Sequence, residues 1–227
     1  MKILFKAVVR NCEKWIPLFR KICEKCEKVF DDIEFSYYIF ENDSSDNTKW
    51  EIAKNFDWYH MADYGYVFGD DMKSMRMAKC RRMAKDMCNI NYDIYDYILL
   101  IDSGVNFSEE TLLHLITTLR HNQSVVMACP RSYGNSITDK YGFKKIPDYN
   151  THELIPVKSC MDGLALIRAW VYEYCDWIVH HPCDSEHETF CWDASMYGKI
   201  VIVPYAIKNK SLKFNNNEGH SFNIGQK

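Results

Sequence analysis

The most constraining feature of this sequence is an apolar run, residues 97–101, that ends abruptly in Asp102, Ser103 and Gly104. Such a run predicts a strand buried on both faces, as in a parallel sheet. A carboxylate left unpaired and dry at its end would cost several kcal/mol, so Asp102 is expected to emerge into a polar crevice. In open α/β sheets, ligands bind at this end of the strands.

Asp102 has a simpler explanation, as the N-cap of the helix that follows. Ser108 is the better cap, because it stands directly before Glu109, Glu110 and an apolar-periodic run over residues 112–119. We therefore interpret Asp102 as a functional residue.

Composition narrows the classes of protein to consider. The chain has 227 residues, of which 47% are hydrophobic and 26% charged, as in a globular domain. A net charge of −3 gives no indication of nucleic-acid or membrane binding, and no apolar run approaches a membrane span. The ten cysteines are scattered and no signal peptide is visible, so we expect free thiols in a reducing, cytoplasmic compartment. Cys23 and Cys26 have metal-like spacing, but a helical pattern without a second pair argues against zinc.

Alternating strand and helix patterns predict right-handed βαβ crossovers and a mainly parallel sheet flanked by helices. The predicted strands cover residues 3–9, 34–40, 97–101, 124–129, 163–167 and 200–203. The predicted helices cover residues 13–29, a segment from about 49, 72–87, 109–121 and 186–197, the last closed by Gly198. The sequence of residues 130–155 predicts a long loop, and a loop of this length in a compact domain usually has a function. No repeat or linker is visible, so we predict a single domain over residues 1–227, which could itself belong to a longer protein.

Polar side chains follow three of these strands. The first strand ends at Val9 and Arg10, the second at Glu41 and Asp43, and the third at Asp102. If the strands are neighbours, their ends line one crevice, with carboxylates for ribose hydroxyls and a divalent cation and arginine for phosphate. No glycine-rich phosphate loop follows the first strand, so the crevice suits a nucleotide diphosphate whose charge is met by a cation.

Several motifs, taken in order, resemble GT-A glycosyltransferases, which move a sugar from a nucleotide-sugar donor to an acceptor hydroxyl. Residues 41–48, ENDSSDNT, are similar to a segment of the capsule-associated mannosyltransferases of encapsulated yeasts and of glycosyltransferases of large DNA viruses. Residues 157–164 and 185–198 resemble later segments of the same mannosyltransferases. Residues 96–126 resemble procollagen galactosyltransferases.

The resemblance implies a GT-A fold, an α/β structure with a Rossmann-like, mostly parallel central sheet, and it implies roles for particular residues. The residues that would bind the donor are Val9, Arg10, Glu41, Asp43, Arg76, Lys79, Ser103, Asp162 and Gly163. Asp46 would order its loop or touch the donor. Asp102 would be the first carboxylate of the metal-binding D-x-D motif, whose second Asp is replaced here by Gly104.

This replacement leaves three possibilities for the divalent cation, Mn²⁺ or Mg²⁺. Asp102 and a late residue such as His220 would hold it, or it would bind weakly, or it would be absent, with lysine and arginine neutralising the diphosphate. His220 is equally explained as an exposed histidine of a polar tail.

An inverting transferase needs a base to deprotonate the acceptor hydroxyl. Glu186 is our choice and Asp184 the second, because crowding with Glu188 should raise the pKa of a carboxylate. The alternative is an ordinary helix start, with Asp184 or Ser185 as the N-cap and glutamates favouring the helix dipole. A retaining enzyme would not need this base.

These features together predict a glycosyltransferase that moves a hexose from a UDP- or GDP-linked donor to a glycan or glycoprotein hydroxyl, assisted by a divalent cation. Aromatic residues of the long loop are expected to stack on sugar faces: Tyr133, Tyr141, Phe143 and Tyr149. One alternative is a degenerate, non-catalytic nucleotide- or sugar-binding module, and another is a nucleotidyltransferase of the same fold class. We expect the protein to have no nucleic-acid partner and to be cytoplasmic. A viral protein made in the cytoplasm of its host would also fit this expectation.

Overall fold

The structure, a computed structural model, describes residues 1–65, 73–132, 151–161, 163–178 and 185–210. The strands are β1 (Lys2–Val9), β2 (Glu34–Asn42), β3 (Tyr59–Ala62), β4 (Tyr97–Asp102), β5 (Val105–Phe107), β6 (Val125–Ser132), β7 (Ile155–Val157), β8 (Leu164–Arg168) and β9 (Lys199–Lys210). The helices are α1 (Trp15–Val29), α2 (Thr48–Asn55), α3 (Lys73–Asp86), α4 (Glu109–His121), α5 (Ala169–Tyr174) and α6 (Glu186–Ser195), and Tyr92–Ile94 form a short 3₁₀ helix.

All of these strands belong to one sheet, in the order β3-β2-β1-β4-β8-β6-β9-β5, with β7 paired to β9. Strands β3, β2, β1 and β4 run parallel to one another, and β6 runs parallel to β9. Strand β8 runs antiparallel between β4 and β6. The apolar run of the sequence is therefore β4, near the middle of the sheet, and the predicted mostly parallel α/β fold is confirmed.

Helices cover both faces of the sheet, and the alternation of side chains along the strands sorts the core into two layers. Ile3 and Phe5 of β1 point into a layer with α1 and α4, whereas Leu4 points into a layer with α3, α5 and α6. Ser108 caps α4 by accepting a hydrogen bond from the Thr111 amide, as predicted. Among the described residues, none of the helices has the length and apolar character that crossing a membrane requires.

The structure differs from the prediction at several element boundaries. Strands β3, β5 and β7 were missed, because three or four residues are too few to show a periodicity. Strand β9 continues to Lys210 rather than ending at residue 203. Helix α6 ends at Ser195, and Gly198 serves packing instead, since a Cβ there would lie 2.8 Å from the Ser124 carbonyl oxygen.

The expectation of free thiols was wrong at one pair of cysteines. Strand β6 and the segment before β8 bring the Cα atoms of Cys129 and Cys160 to 6.1 Å, and the two form a disulfide. The seven free cysteines of the described residues are all buried. Cys23 and Cys26 belong to the core layer under α1, and no metal-binding cluster of three or more acidic, histidine or cysteine residues occurs in the described ranges.

Candidate functional site

The predicted convergence of three strand ends is present in the sheet. Because β1, β2 and β4 are parallel neighbours, Val9 pairs with Glu41 and Val8 pairs with Asp102 at the same edge. The side chain of Val9 is buried in the core, so that only its backbone belongs to this edge. The chain therefore gathers its acidic strand ends where open α/β sheets bind ligands.

The loops that follow β1 and β2 are tied together by hydrogen bonds. The amide of Ser45 donates to Asn11 Oδ1 (2.8 Å), and the amide of Asn11 donates to Ser44 Oγ (3.0 Å). Asp46 accepts from the amides of Glu13 (3.2 Å) and Thr48 (3.0 Å), so its carboxylate orders the loop and the start of α2. These contacts hold the edge in place without a glycine-rich turn.

Glu41, which the resemblance placed among the donor-binding residues, is buried beneath this loop. Its side chain is 0% exposed, and its Oε1 accepts from the Ser44 amide at 2.7 Å. Burial raises the pKa of Glu41, while the hydrogen bonds from Ser44 and the charge of Lys49 oppose that rise. Glu41 is thus a structural support for the loop that carries Asp43.

Asp43 and Arg10 lie above Glu41 on the exposed side of the loop. Arg10 Nε donates to the Asp43 carbonyl oxygen (3.2 Å), and the Asp43 carboxylate accepts from the Gly65 amide (3.0 Å) and from Asn42 Nδ2 (3.2 Å). Asp43 has a φ of 57°, a left-handed conformation that this network maintains. Arg10 is exposed and Asp43 half-buried, so both are accessible to a ligand at the edge.

The centre of the site is an arginine that the sequence interpretation did not select. Arg81 Nη2 of α3 donates to Asp102 Oδ1 at 2.7 Å, and Arg81 Nε lies 3.9 Å from Glu186 Oε1 at the start of α6. The Arg81 side chain is only 5% exposed, and its guanidinium packs over the Trp177 ring, 4.8 Å from the centroid. The two predicted carboxylates are thus brought together, and a buried guanidinium joins them.

Helix α3 contained a signal that identifies Arg81. Ala78, Ala84 and Cys88 are buried on one face of this segment, and Arg81 falls within the same stripe. The predicted donor residues of α3 differ from it, since Arg76 is half-buried and Lys79 is exposed. A basic helix usually lies at the solvated surface, but one arginine of α3, Arg81, is buried.

Asp102 is surrounded by positive charge. Burial would raise the pKa of its carboxyl, but the charges of Arg81, His187 and Lys208, with the hydrogen bond from Arg81, outweigh burial and lower it. Asp102 remains 28% exposed, so its ionised carboxylate still reaches the crevice.

Two glycines shape the backbone around Asp102. Gly163 accepts from the Asp102 amide at 2.8 Å through its carbonyl oxygen, and at φ 83° a Cβ there would lie 2.8 Å from Val105 Cγ2. Gly104 has a φ of 82°, which L-residues rarely adopt, and it forms the turn after the exposed Ser103. An aspartate at the second D-x-D position would be strained in this turn.

Glu186 is the first residue of α6. Ser185 is the N-cap of α6, and Glu188 completes a capping box with it. Glu186 is 7% exposed, and its Oε1 lies 3.9 Å from Arg81 Nε and 3.3 Å from His187 Nε2. Asp184, the third carboxylate of the expected cluster, lies outside the described residues, so the crowding expected around Glu186 stays a prediction.

Some predicted residues lie outside the described residues, namely Asp162, Asp184, His220 and the loop aromatics Tyr133, Tyr141, Phe143 and Tyr149. Within the described ranges, a divalent cation does not fit well. The Asp102 oxygen nearest Arg81 is already hydrogen-bonded, and Gly104 supplies no side chain. Ca²⁺ and Mg²⁺ require several oxygen ligands around one point, and no set of three or more candidate ligands is found there.

No protein-family model matches the sequence, and no curated protein matches it. Solved structures do share the fold. TarS 1–349 from S. aureus superposes with a TM-score of 0.60 at 14% identity, over 92% of this chain and 60% of that chain. Its complex with UDP-GlcNAc gives 0.60 at 15% identity, over 92% and 58% of the two chains.

Glucosyl-3-phosphoglycerate synthase from Mycobacterium tuberculosis, in complex with Mg²⁺ and UDP, superposes with a TM-score of 0.54 at 12% identity, over 92% of this chain and 69% of that chain. This chain therefore spans about 60% of the length of TarS 1–349. The fold is that of the GT-A glycosyltransferases.

Proposed function

We propose that this chain is a glycosyltransferase that moves a hexose from a UDP- or GDP-linked donor to a hydroxyl of a glycan or glycoprotein. The observation that carries the proposal is the meeting of Asp102 and Glu186, from β4 and α6, on one guanidinium at the ligand-binding edge of a GT-A sheet. UDP is the first donor nucleotide to test, because TarS was solved with UDP-GlcNAc and the synthase with UDP.

In the proposed reaction, Glu186 is the base. The acceptor oxygen attacks the anomeric carbon, its proton passes to the Glu186 carboxylate, and the nucleotide diphosphate leaves with the electron pair of the broken bond. General base catalysis of this kind contributes about 10²–10⁴-fold to rate. Asp102 accepts hydrogen bonds from donor hydroxyls, and Arg10, Arg76 and Lys79 are proposed to face the phosphates. Asp43 is proposed to contact the nucleoside.

The first experiment asks whether the chain binds a nucleotide at all. Thermal unfolding is measured with UDP, GDP, CMP and dTDP, each with Mn²⁺ and with EDTA. A ligand at ~100 times its dissociation constant should stabilise the folded protein by about 2.7 kcal/mol. A shift specific to UDP or GDP supports the donor class, and the absence of any shift would contradict the proposal.

The second experiment tests the base. Glu186→Gln should lower kcat by about 10²–10⁴-fold with little change in nucleotide affinity, because the amide keeps the shape but cannot take a proton. Glu188→Gln is the matched control in the same helical turn, since glutamine also completes a capping box. Turnover of Glu186→Gln equal to that of the wild type would remove Glu186 from the mechanism.

A second candidate function is a non-catalytic nucleotide- or sugar-binding module, and Gly104 at the second D-x-D position favours it. This candidate predicts nucleotide-dependent stabilisation without turnover of any nucleotide sugar. Assaying hydrolysis and transfer with the nucleotide sugars whose nucleotides bind distinguishes the two functions.

A further inference from the structure

We infer that Arg81 takes the place of a divalent cation in this site, holding Asp102 and Glu186 together as a built-in cation so that the donor binds without metal. The inference rests on the proposed function, because it concerns the same donor. Of the three possibilities for the divalent cation that Gly104 leaves open, the inference selects the one in which no metal is bound. In this account Arg81 is a positioning residue, and it acts through the two carboxylates.

The geometry of Arg81 supports a fixed position. Its Nη2 lies 2.7 Å from Asp102 Oδ1, a charge-assisted hydrogen bond, while its Nε faces Glu186 Oε1 at 3.9 Å. Trp177 stacks on the guanidinium and is itself stacked on Phe190, with centroids 4.0 Å apart. A side chain that is 5% exposed and held on both sides is not free to swing away for an incoming ion.

The charges around Asp102 also disfavour a metal. A divalent ion bound to Asp102 would lie beside the Arg81 guanidinium, near the fully buried Lys208 of β9 and near His187, all of which interact electrostatically with this carboxylate. Positive charges that are close together repel one another strongly where little water is present to screen them. The single negative charge of Asp102 is already compensated before any ion arrives.

The backbone removes the second ligand that a metal would need. Gly104 lies at φ 82°, where an aspartate would be strained, and Glu186 is the second carboxylate that forms an ion pair with Arg81. Glu186 is drawn to the same guanidinium. Arg81 therefore contacts both carboxylates, Asp102 through a hydrogen bond at 2.7 Å and Glu186 through a longer ion pair at 3.9 Å.

The test compares nucleotide affinity with and without metal, using UDP and the full chain. For the wild-type protein, the dissociation constant of UDP in Mn²⁺ and in EDTA should agree within twofold. Titration of Mn²⁺ followed by electron paramagnetic resonance should show no tight binding, with or without UDP. A tenfold gain in UDP affinity on adding Mn²⁺, or tight Mn²⁺ binding to the protein, would overturn the inference.

Variants of α3 test the residue itself. Arg81→Gln frees both Asp102 and Glu186 as ligands, so its UDP affinity should become at least fivefold stronger in Mn²⁺ than in EDTA, whereas Arg81→Lys, which keeps the charge, should remain close to metal-independent. Arg82→Gln is the matched control, because Arg82 is the next residue of the helix and its side chain is 56% exposed. An Arg81→Gln protein that stays indifferent to Mn²⁺ would overturn the role of Arg81.

The outcomes also separate this inference from the proposed function. UDP binding that requires Mn²⁺ keeps the transferase proposal and rejects the built-in cation. If no nucleotide binds under either condition, the proposed function and metal-free donor binding both fail, and the Mn²⁺ titration of the wild type then shows only whether Arg81 keeps a cation from Asp102. Should Arg81→Gln fail to fold, the wild-type affinities and the Arg81→Lys variant carry the test.

Discussion

Lys6 lies in the middle of β1, where the strand is buried on both faces, and it is 3% exposed. Its Nζ donates to the Tyr92 hydroxyl at 2.7 Å and lies over the rings of Tyr38, Tyr92 and Tyr172, 5.0–5.5 Å from their centroids. Desolvation by burial lowers the pKa of Lys6 to about 7, partly opposed by the nearby Cys88. Lys6 and Arg81 line the same cavity, together with Tyr172 and Trp177.

Because the pKa of Lys6 is lower in the folded protein, the unfolded chain binds more protons between about pH 7 and pH 10.5. The free energy of unfolding should therefore rise with pH across this window, by up to about 5 kcal/mol for a shift of this size. Below pH 7 both states carry the proton, and the contribution becomes constant.

The substitution Lys6→Met should remove this dependence and stabilise the protein at pH 7. The measurement is urea unfolding from pH 6.5 to pH 10, with exposed Lys25→Met of α1 as the control. If wild type and Lys6→Met respond to pH in parallel, the aromatic rings keep Lys6 protonated and the argument from desolvation is wrong.

At the scale of elements, two helices begin with the same chemistry but in different places. Ser185 caps α6 and accepts from the His187 amide at 3.1 Å, directly before Glu186. Ser108 caps α4 and accepts from the Thr111 amide at 3.2 Å, after the turn that follows β4. The first cap directly precedes the proposed base, whereas the second begins a helix that carries none of the proposed site residues.

Ser185→Ala and Ser108→Ala should each lower the free energy of unfolding by about 1 kcal/mol. Only Ser185→Ala should also lower kcat, because fraying of the first turn of α6 displaces Glu186 from Arg81. Denaturant unfolding and turnover are measured on both variants. Equal loss of turnover in the two would show that Glu186 does not depend on its helix start.

Elements also explain what the sequence could and could not predict. The strand β4 and the cap Ser108 were predicted, because an apolar run and a capping serine are local patterns. The contact of Arg81 with Asp102 was not, since it joins residues on two separate elements and depends on how α3 packs on the sheet. Glu41 was placed at the correct edge, but the loop that buries it depends on hydrogen bonds no local pattern encodes.

At the scale of the whole molecule, the second half of the chain departs from simple βαβ alternation. Strand β8 enters antiparallel between β4 and β6, and its entry brings Gly163 against Asp102. Periodicity identified a strand at residues 163–167 but gave neither its direction nor its partners, which are long-range properties. The edge at which Asp102 lies is thus completed by the residue that leads into β8.

The disulfide between Cys129 and Cys160 holds this arrangement together, since it joins β6 to the segment that leads into β8. It closes a chain separation of 31 residues, for which loop-closure entropy predicts about 3 to 4 kcal/mol of stabilisation. A reducing agent should therefore lower the free energy of unfolding of the wild type by about this amount and should have no effect on Cys160→Ser.

Urea unfolding of both proteins, with and without the reductant, measures this contribution, and thiol titration of the unfolded wild type should show two additional thiols after reduction. The same comparison made with UDP tests whether the bond matters to the site, because loosening β8 would move Gly163 away from Asp102 and weaken nucleotide binding. A wild type whose stability and thiol count do not respond to reductant would mean that these cysteines are free in solution, as the composition of the chain first indicated.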